Sequence, residues 1–276
     1  VHPTRTDAGA YAAQLSKPLI DAGFMLFTNR EGSVPGAQTS VGDEKFEVAL
    51  VLGGDGTILR GAEFLRGQSV PILGINMGSV GFLAEVVNPE INLLVKALMD
   101  KHYEVEPRLV LKYEIERDGK VLNNGWALNE VTIVRTNTQM VELFVQIDDR
   151  PLSRWGCDGV ICATPTGSTA YAFSAGGPVL WPEVDAMVLL PLAAHALFAK
   201  PMVISPESIV AIDVESATAE ISADGMRKVD LRAGDRIRIS RDSEKVLLSH
   251  IDSSVFTDRL VAKFKLPIEG WRGERS

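Results

Sequence analysis

Two domains of different build are predicted: an α/β domain over residues 1–107, and a β-rich domain over 108–250 followed by a helical tail. Three observations carry this. The run Val48-Ala49-Leu50-Val51-Leu52 is continuously apolar and ends on Gly53-Gly54, as a strand covered on both faces in a parallel sheet does. Residues Ile91, Leu94, Val95, Leu98 and Met99 recur three and four apart, which marks one core-facing helical stripe. From Leu109 onward the apolar period becomes two and turn signals recur, the grammar of antiparallel strands.

Taken in order, the strand ending at Leu52 leads into a helix over Thr57 to Arg66, and Val70 to Ile75 forms a second buried strand. Asn88-Pro89 offers an N-cap and a Pro at the first position of the helix that Asp100 and Lys101 close. In the second domain Lys112 to Glu116, Asp118-Gly119, and Val121-Leu122 read as a hairpin. Asp148-Asp149-Arg150-Pro151 and Ala233-Gly234-Asp235 carry similar punctuation, and Arg232 to Arg241 alternates as a half-exposed strand. Phe256 to Phe264 has helical spacing, so residues 251–276 are expected to pack back on the first domain.

Composition narrows the function classes. With 46% hydrophobic residues over 276, the chain can bury roughly three quarters of its unfolded surface, so disorder is excluded. The acidic balance, 36 Asp and Glu against 28 Lys and Arg, argues against a nucleic-acid surface, which needs clustered positive charge. No apolar run approaches the roughly 18 residues of a membrane helix, and the polar start with His2, Arg5 and Asp7 lacks a signal peptide's core, so a cytoplasmic protein is expected. Cys157 and Cys162 have neither a partner pair nor a neighbouring His, so they read as packing residues.

Three polar elements stand out. Gly53-Gly54-Asp55-Gly56-Thr57 lies where a buried strand turns into a helix, the edge at which an open parallel sheet presents ligands. Its glycines clear room for a phosphate or ribose, and the helix N-terminus favours negative charge. The alternative is a turn in which Asp55 caps the helix. A Walker loop is excluded because no Lys follows the glycines. A second glycine-rich element, Gly74 to Leu83, follows the next strand and lines the same crevice, unless both are ordinary turns. The third, Thr164-Pro165-Thr166-Gly167-Ser168-Thr169-Ala170-Tyr171 with Ser174 and Gly176-Gly177, offers hydroxyls for sugar and phosphate oxygens and a ring to stack on a base; a surface loop is its alternative. Asn129-Glu130, set in the apolar run Ala127 to Ile133, either binds ribose hydroxyls or bonds internally between strands. Asp158 before Gly159 is placed to accept from an exocyclic amine or amide.

The ordered set of a Gly-Gly-Asp-Gly-Thr loop, an Asn-Glu pair and a Thr-Gly-Ser-Thr-Ala-Tyr segment resembles the NAD kinases. The resemblance runs from about Val48 to Lys263 and takes in Gly74 to Leu83, Gly176 to Pro182, His195 with Pro201, and Asp224-Gly225. It implies an α/β first domain with an open, Rossmann-like parallel sheet, an all-β sandwich second domain, and a tail returning to the first. It implies Asp55 as base near the adenosine-ribose 2′-hydroxyl of NAD, with Gly53, Gly54, Gly56 and Thr57 holding phosphates, and Asn129 and Glu130 gripping a ribose. Asp158, Thr166, Ser168, Thr169, Ala170, Tyr171 and Ser174 would surround the adenine and nicotinamide parts, with Phe82 and Leu83 at the pocket wall and Asp224 nearby. The phosphoryl donor would be ATP or polyphosphate, with Mg²⁺ travelling with the nucleotide rather than in a protein cage. Family members are usually homodimers or homotetramers.

Two departures stand against the pattern. Relatives often place Arg or His where this chain has Ser79, and the family's first strand should precede or include Val1-His2-Pro3, so the start reads as trimmed and Arg5 as an unsettled phosphate contact. The same Asp loop occurs in lipid and sugar kinases, and a non-catalytic NADP-binding regulator would keep the base and ribose contacts without needing Asp55.

Overall fold

The computed structural model describes residues 1–30, 32–39, 44–78, 81–84, 86–87, 89–216, 218–251 and 256–268. Ser79 and Asn88 lie outside this set. The chain divides into two compact units, one made of Val1–Pro107 with Val246–Ser276, the other of Arg108–Lys245.

The first unit is a sheet flanked by helices. Ala49–Leu52 pairs in parallel with Ile72–Asn76, which pairs in parallel with Val246–His250 and with Val86–Val87, and Glu104–Arg108 adjoins Val246–His250. Every residue of Ile72–Asn76 is buried, as a central strand covered on both faces must be. One face is covered by helix α1, Thr6–Asp21, whose Ala8, Tyr11, Ala12, Leu15 and Leu19 pack with Leu52, Leu73 and Ile75. Helix α1 has no counterpart among the elements expected from the sequence, although its apolar spacing is helical. Helix α2 spans Asp55–Phe64, starting earlier than the expected Thr57.

Helix α3, Ile91–Met99, joins the same core through Leu94, Val95 and Leu98. Its N-cap is Glu90, so Pro89 stands outside the helix instead of at its first position. Met99 leaves the stripe and is 55% exposed, because at about 100° per residue it has rotated past the sheet by the last turn. The return to this unit comes at Val246 rather than at 251, since Val246–His250 is one of its strands, and helix α5, Phe256–Phe264, follows.

The second unit contains two six-stranded sheets joined by antiparallel pairs. One runs Arg150–Cys157, Val141–Ile147, Val210–Val214, Arg236–Arg241, Leu111–Arg117, Lys120–Ala127; the other Met202–Ile204, Met187–Leu192, Gly159–Ala163, Glu130–Arg135, Thr218–Ala223, Arg227–Arg232. Tyr113, Ile115, Leu143, Trp155, Ile212 and Ile237 of the first meet Val131, Ile133, Val160, Leu189 and Ile221 of the second in one core, which makes a β-sandwich. Cys157 and Cys162 are free thiols in this core, pushed up by burial to about 11 and about 12.

Asp118-Gly119 and Asp148-Asp149 close two-residue hairpins, all four residues in the left-handed conformation such turns require. Ala233-Gly234-Asp235 does something else. It carries the chain from Arg227–Arg232 to Arg236–Arg241, strands of opposite sheets, and is a corner held by the fully buried Asp235, which accepts from Arg117 Nε at 2.6 Å and Arg232 N–H at 2.9 Å.

Gly159–Ala163 and Met187–Leu192 do not alternate, because their outer face is covered too. Ile161, Ala163, Val188 and Leu190 there pack against Ala172 of helix α4, Tyr171–Ser174. The hydroxyl-rich segment singled out in the sequence is that cover.

Candidate active site

In the first unit the N-cap of α2 is Gly54, and Asp55 is the first helical residue. The capping alternative therefore fails. The Asp55 carboxylate reaches a different loop, where it accepts from the N–H groups of Phe82 at 3.0 Å, Leu83 at 3.1 Å and Ala84 at 3.3 Å. Three donors from successive residues fix both oxygens at the helix N-terminus, where negative charge is favoured. Gly81 is required by this arrangement: a Cβ there would stand 2.2 Å from Asp55 Oδ1. Gly56 is exposed, Gly54 is partly exposed, and Thr57 is buried against Gly53.

Phe82 and Leu83, placed at a pocket wall by resemblance, have buried side chains and turn their main-chain N–H groups to Asp55. The Phe82 ring sits 5.9 Å from Phe256 and 5.7 Å from Phe264. Arg5 pairs with Asp7 and donates to the Met77 carbonyl beside the same loop.

In the second unit Asn129-Glu130 is held from two sides. Asp224, in a left-handed conformation at the turn between Thr218–Ala223 and Arg227–Arg232, accepts from the N–H groups of Leu128 at 2.9 Å, Asn129 at 2.7 Å and Glu130 at 3.3 Å. Arg227, absent from the sequence reading, pairs with Asp224 at 2.7 Å and lies over the Trp126 ring. Asp224 is thus engaged by the main chain it braces. Burial raises its carboxyl, against the pull of those donors and of Arg227.

From the other side, Thr164 Oγ1 donates to Leu128 O at 2.6 Å, and Thr164 N–H donates to Asn129 O at 2.8 Å. The 3₁₀ turn Thr166–Thr169 lies flush on this strand: a Cβ on Gly167 would stand 2.0 Å from Asn129 O, so only glycine permits the approach. Ser168 is fully buried and ties the turn to Leu180, donating to Pro165 O and accepting from Leu180 N–H at 2.9 Å.

The result is a buried acid. Burial first, then the charge of Asp224, push the Glu130 carboxyl up to about 8, moderated by a hydrogen bond from the Tyr171 N–H. Its Oε2 is buried with no hydrogen-bond partner. Glu130 is therefore largely protonated near neutral pH and can donate as well as accept, which suits a diol. Around it Thr169 and Ala170 are partly exposed, Ser174 is exposed, and Tyr171 is 46% exposed with its ring free to stack. Asp158 is paired by Arg135 Nε at 2.6 Å. The signal for Arg135 was its place one strand from Asp158, invisible without the pairing of Gly159 with Val134.

The sheet unit thus fixes one carboxylate in a glycine-cleared loop, and the sandwich unit clamps an amide-acid pair beside hydroxyls and an exposed ring. The family models for the ATP-NAD kinase N-terminal domain and C-terminal domain match residues 35–103 and 128–251. NAD kinase 2 of Streptomyces coelicolor is 46% identical over 99% of this chain and 95% of its own length. NAD kinase of Mycobacterium bovis is 44% identical over 94% of this chain and 88% of its own. The crystal structure of an NAD kinase from Archaeoglobus fulgidus in complex with ATP aligns with TM-score 0.68 at 27% identity, covering 88% of this chain and 99% of that one. Yeast NADH kinase complexed with NADH shares the fold at TM-score 0.83 and 23% identity, over 99% of this chain and 87% of that one. The chain belongs to the NAD kinase family.

Proposed function

We propose that this enzyme transfers the γ-phosphoryl of ATP, or a terminal phosphoryl of polyphosphate, to the adenosine-ribose 2′-hydroxyl of NAD, giving NADP. The observation that carries the reading is the fixed Asp55 carboxylate at the head of α2. As the acceptor oxygen bonds to phosphorus and the donor's P–O bond breaks, Asp55 takes the hydroxyl proton. Phosphoryl transfer has a loose transition state, so positioning supplies most of the acceleration and the base about 10²- to 10⁴-fold. Gly53, Gly54, Gly56 and Thr57 line the phosphate side. Asn129 and Glu130 hold a ribose, and Asp158, Thr166, Thr169, Ala170, Tyr171 and Ser174 surround the bases, with Asp224 and Ser168 keeping that wall in shape.

Mg²⁺ is assigned to the nucleotide. Among the described residues no group of three His, Cys, Asp or Glu side chains could hold a metal, and an ion that keeps its waters on a nucleotide needs only one or two protein carboxylates. When bound it neutralises phosphate charge. No described helix is long and apolar enough to cross a membrane. The proposed working species is a cytoplasmic homodimer or homotetramer.

The test is a coupled assay in which purified protein receives NAD, Mg²⁺ and either ATP or polyphosphate, and an NADP-specific dehydrogenase reports product. NADP should form with wild type and fall at least a hundredfold with Asp55→Asn. Full activity in that variant would refute the base.

A further inference from the structure

We propose that Arg259, on helix α5, is a positioning residue for Asp55. This deepens the reading above and rests on Asp55 being the base. The Asp55 carboxylate is fixed by the 82–84 main chain, so whatever sets that main chain sets the carboxylate. Arg259 Nη1 donates to the Phe82 carbonyl at 3.3 Å. The same peptide group carries, on its other end, the Leu83 N–H that donates to Asp55 Oδ1 at 3.1 Å. A guanidinium and a carboxylate are thus joined through a single peptide unit. A cation bound to its carbonyl polarises the amide and strengthens its N–H as a donor, while fixing the plane of the peptide.

The rest of the helix is built to keep this contact. Phe256 and Phe264, one at each end of α5, set their rings 5.9 and 5.7 Å from the Phe82 ring, so the loop is gripped at side chain and main chain together. Arg259 is 9% exposed, unusual for an arginine in a short amphipathic helix. Its Nη2 lies 3.5 Å from His250 Nδ1, and His250 Nε2 lies 2.9 Å from Glu106 Oε2. Glu106 and His250 stand on neighbouring strands of the sheet whose edge carries the Asp55 loop. The row Glu106, His250, Arg259, Phe82 peptide, Asp55 therefore runs from the sheet, through the last helix, to the proposed base. The carbonyl that this buried guanidinium meets belongs to one of the three peptide groups whose N–H holds that base.

The test measures kcat and both KM values in Arg259→Met, Arg259→Lys, Phe264→Leu and Asp55→Asn, with hydrogen exchange followed at the 82–84 amides. Arg259→Met is expected to lower kcat about 10- to 100-fold with both KM values within about threefold of wild type and faster exchange at 82–84; Arg259→Lys, which keeps the charge and one donor, should recover part of the loss. Unchanged kcat in folded Arg259→Met, or a rise in KM alone, would overturn the inference. Should that variant fail to fold, Phe264→Leu decides: it should lower kcat about threefold or more with faster 82–84 exchange, and no change in either would overturn the inference. The two readings fail separately. Inactive Asp55→Asn beside fully active Arg259→Met removes the role of Arg259 alone, whereas fully active Asp55→Asn removes the base and this role with it.

Discussion

Replacing Glu130 with Gln should abolish a large pH dependence of stability. Folding raises the Glu130 carboxyl from its ordinary 4.5 to about 8. A folded-state value above the unfolded one means that stability is fully present below 4.5 and is lost as pH rises through about 8. A tenfold difference in proton affinity is worth about 1.4 kcal/mol. Between about pH 5 and about pH 8 the unfolded residue gives up its proton while the folded one keeps about half of it, so this residue alone removes roughly 3 to 4 kcal/mol. Gln keeps the shape and has no proton to lose.

The assay is urea unfolding at both pH values, read by tryptophan fluorescence; Trp126, Trp155 and Trp181, three of the four tryptophans, lie in the same unit as Glu130. Wild type should lose midpoint steeply toward pH 8 and Glu130→Gln should lose far less. The two falling in parallel would refute the assignment, because Asp224 and every other titrating group are common to both proteins.

Three further outcomes follow from the geometry. Gly81→Ala places a methyl against Asp55 Oδ1 and should cut kcat about 100-fold with the fold retained, measured by the coupled assay and circular dichroism; an unchanged kcat would count against the loop geometry. Gly167→Ala forces the 3₁₀ turn off Asn129 O and should raise the KM for NAD at least about tenfold while costing roughly 1 to 3 kcal/mol of stability, checked by kinetics and thermal melting. Asp224→Ala leaves three buried N–H groups without their acceptor and removes the ion pair with Arg227, and should cost roughly 3 to 5 kcal/mol, checked by urea unfolding; a loss below about 1 kcal/mol would mean the brace is unnecessary.

Periodicity and turn chemistry carried the fold class. The buried run ending at Gly53, the stripe of α3, the Asp-Gly and Asp-Asp turns and the helical tail are all local signals, and the family resemblance rests on residues that are close in sequence. Pairings across the chain were not legible. Ala233-Gly234-Asp235 has the composition of a hairpin, and only the destination of its next strand makes it a corner. Asp55 looks like a cap because its true partners, the amides of 82–84, lie on another loop. Asp224 shows as a turn residue, and nothing near it in sequence reveals that its carboxylate holds Leu128, Asn129 and Glu130. Arg259 sits in the polar run Thr257-Asp258-Arg259, where an arginine facing solvent is the ordinary expectation.

The sandwich unit interrupts the sheet unit, and this orders events on the ribosome. Val246–His250 pairs with Ile72–Asn76, so the first sheet lacks one of its strands until the whole intervening unit has been synthesised. That unit ends where it begins: Leu111 pairs with Arg241, and Asp242 N–H donates to Val110 O at 2.8 Å. Once it folds, a closure that would otherwise span the entire insertion is shortened to the gap between two neighbouring strands, and its entropy cost has already been met. The early-synthesised half thus emerges with a strand edge that stays open until Val246–His250 arrives, and the helix after that strand delivers Arg259 to the loop that holds Asp55.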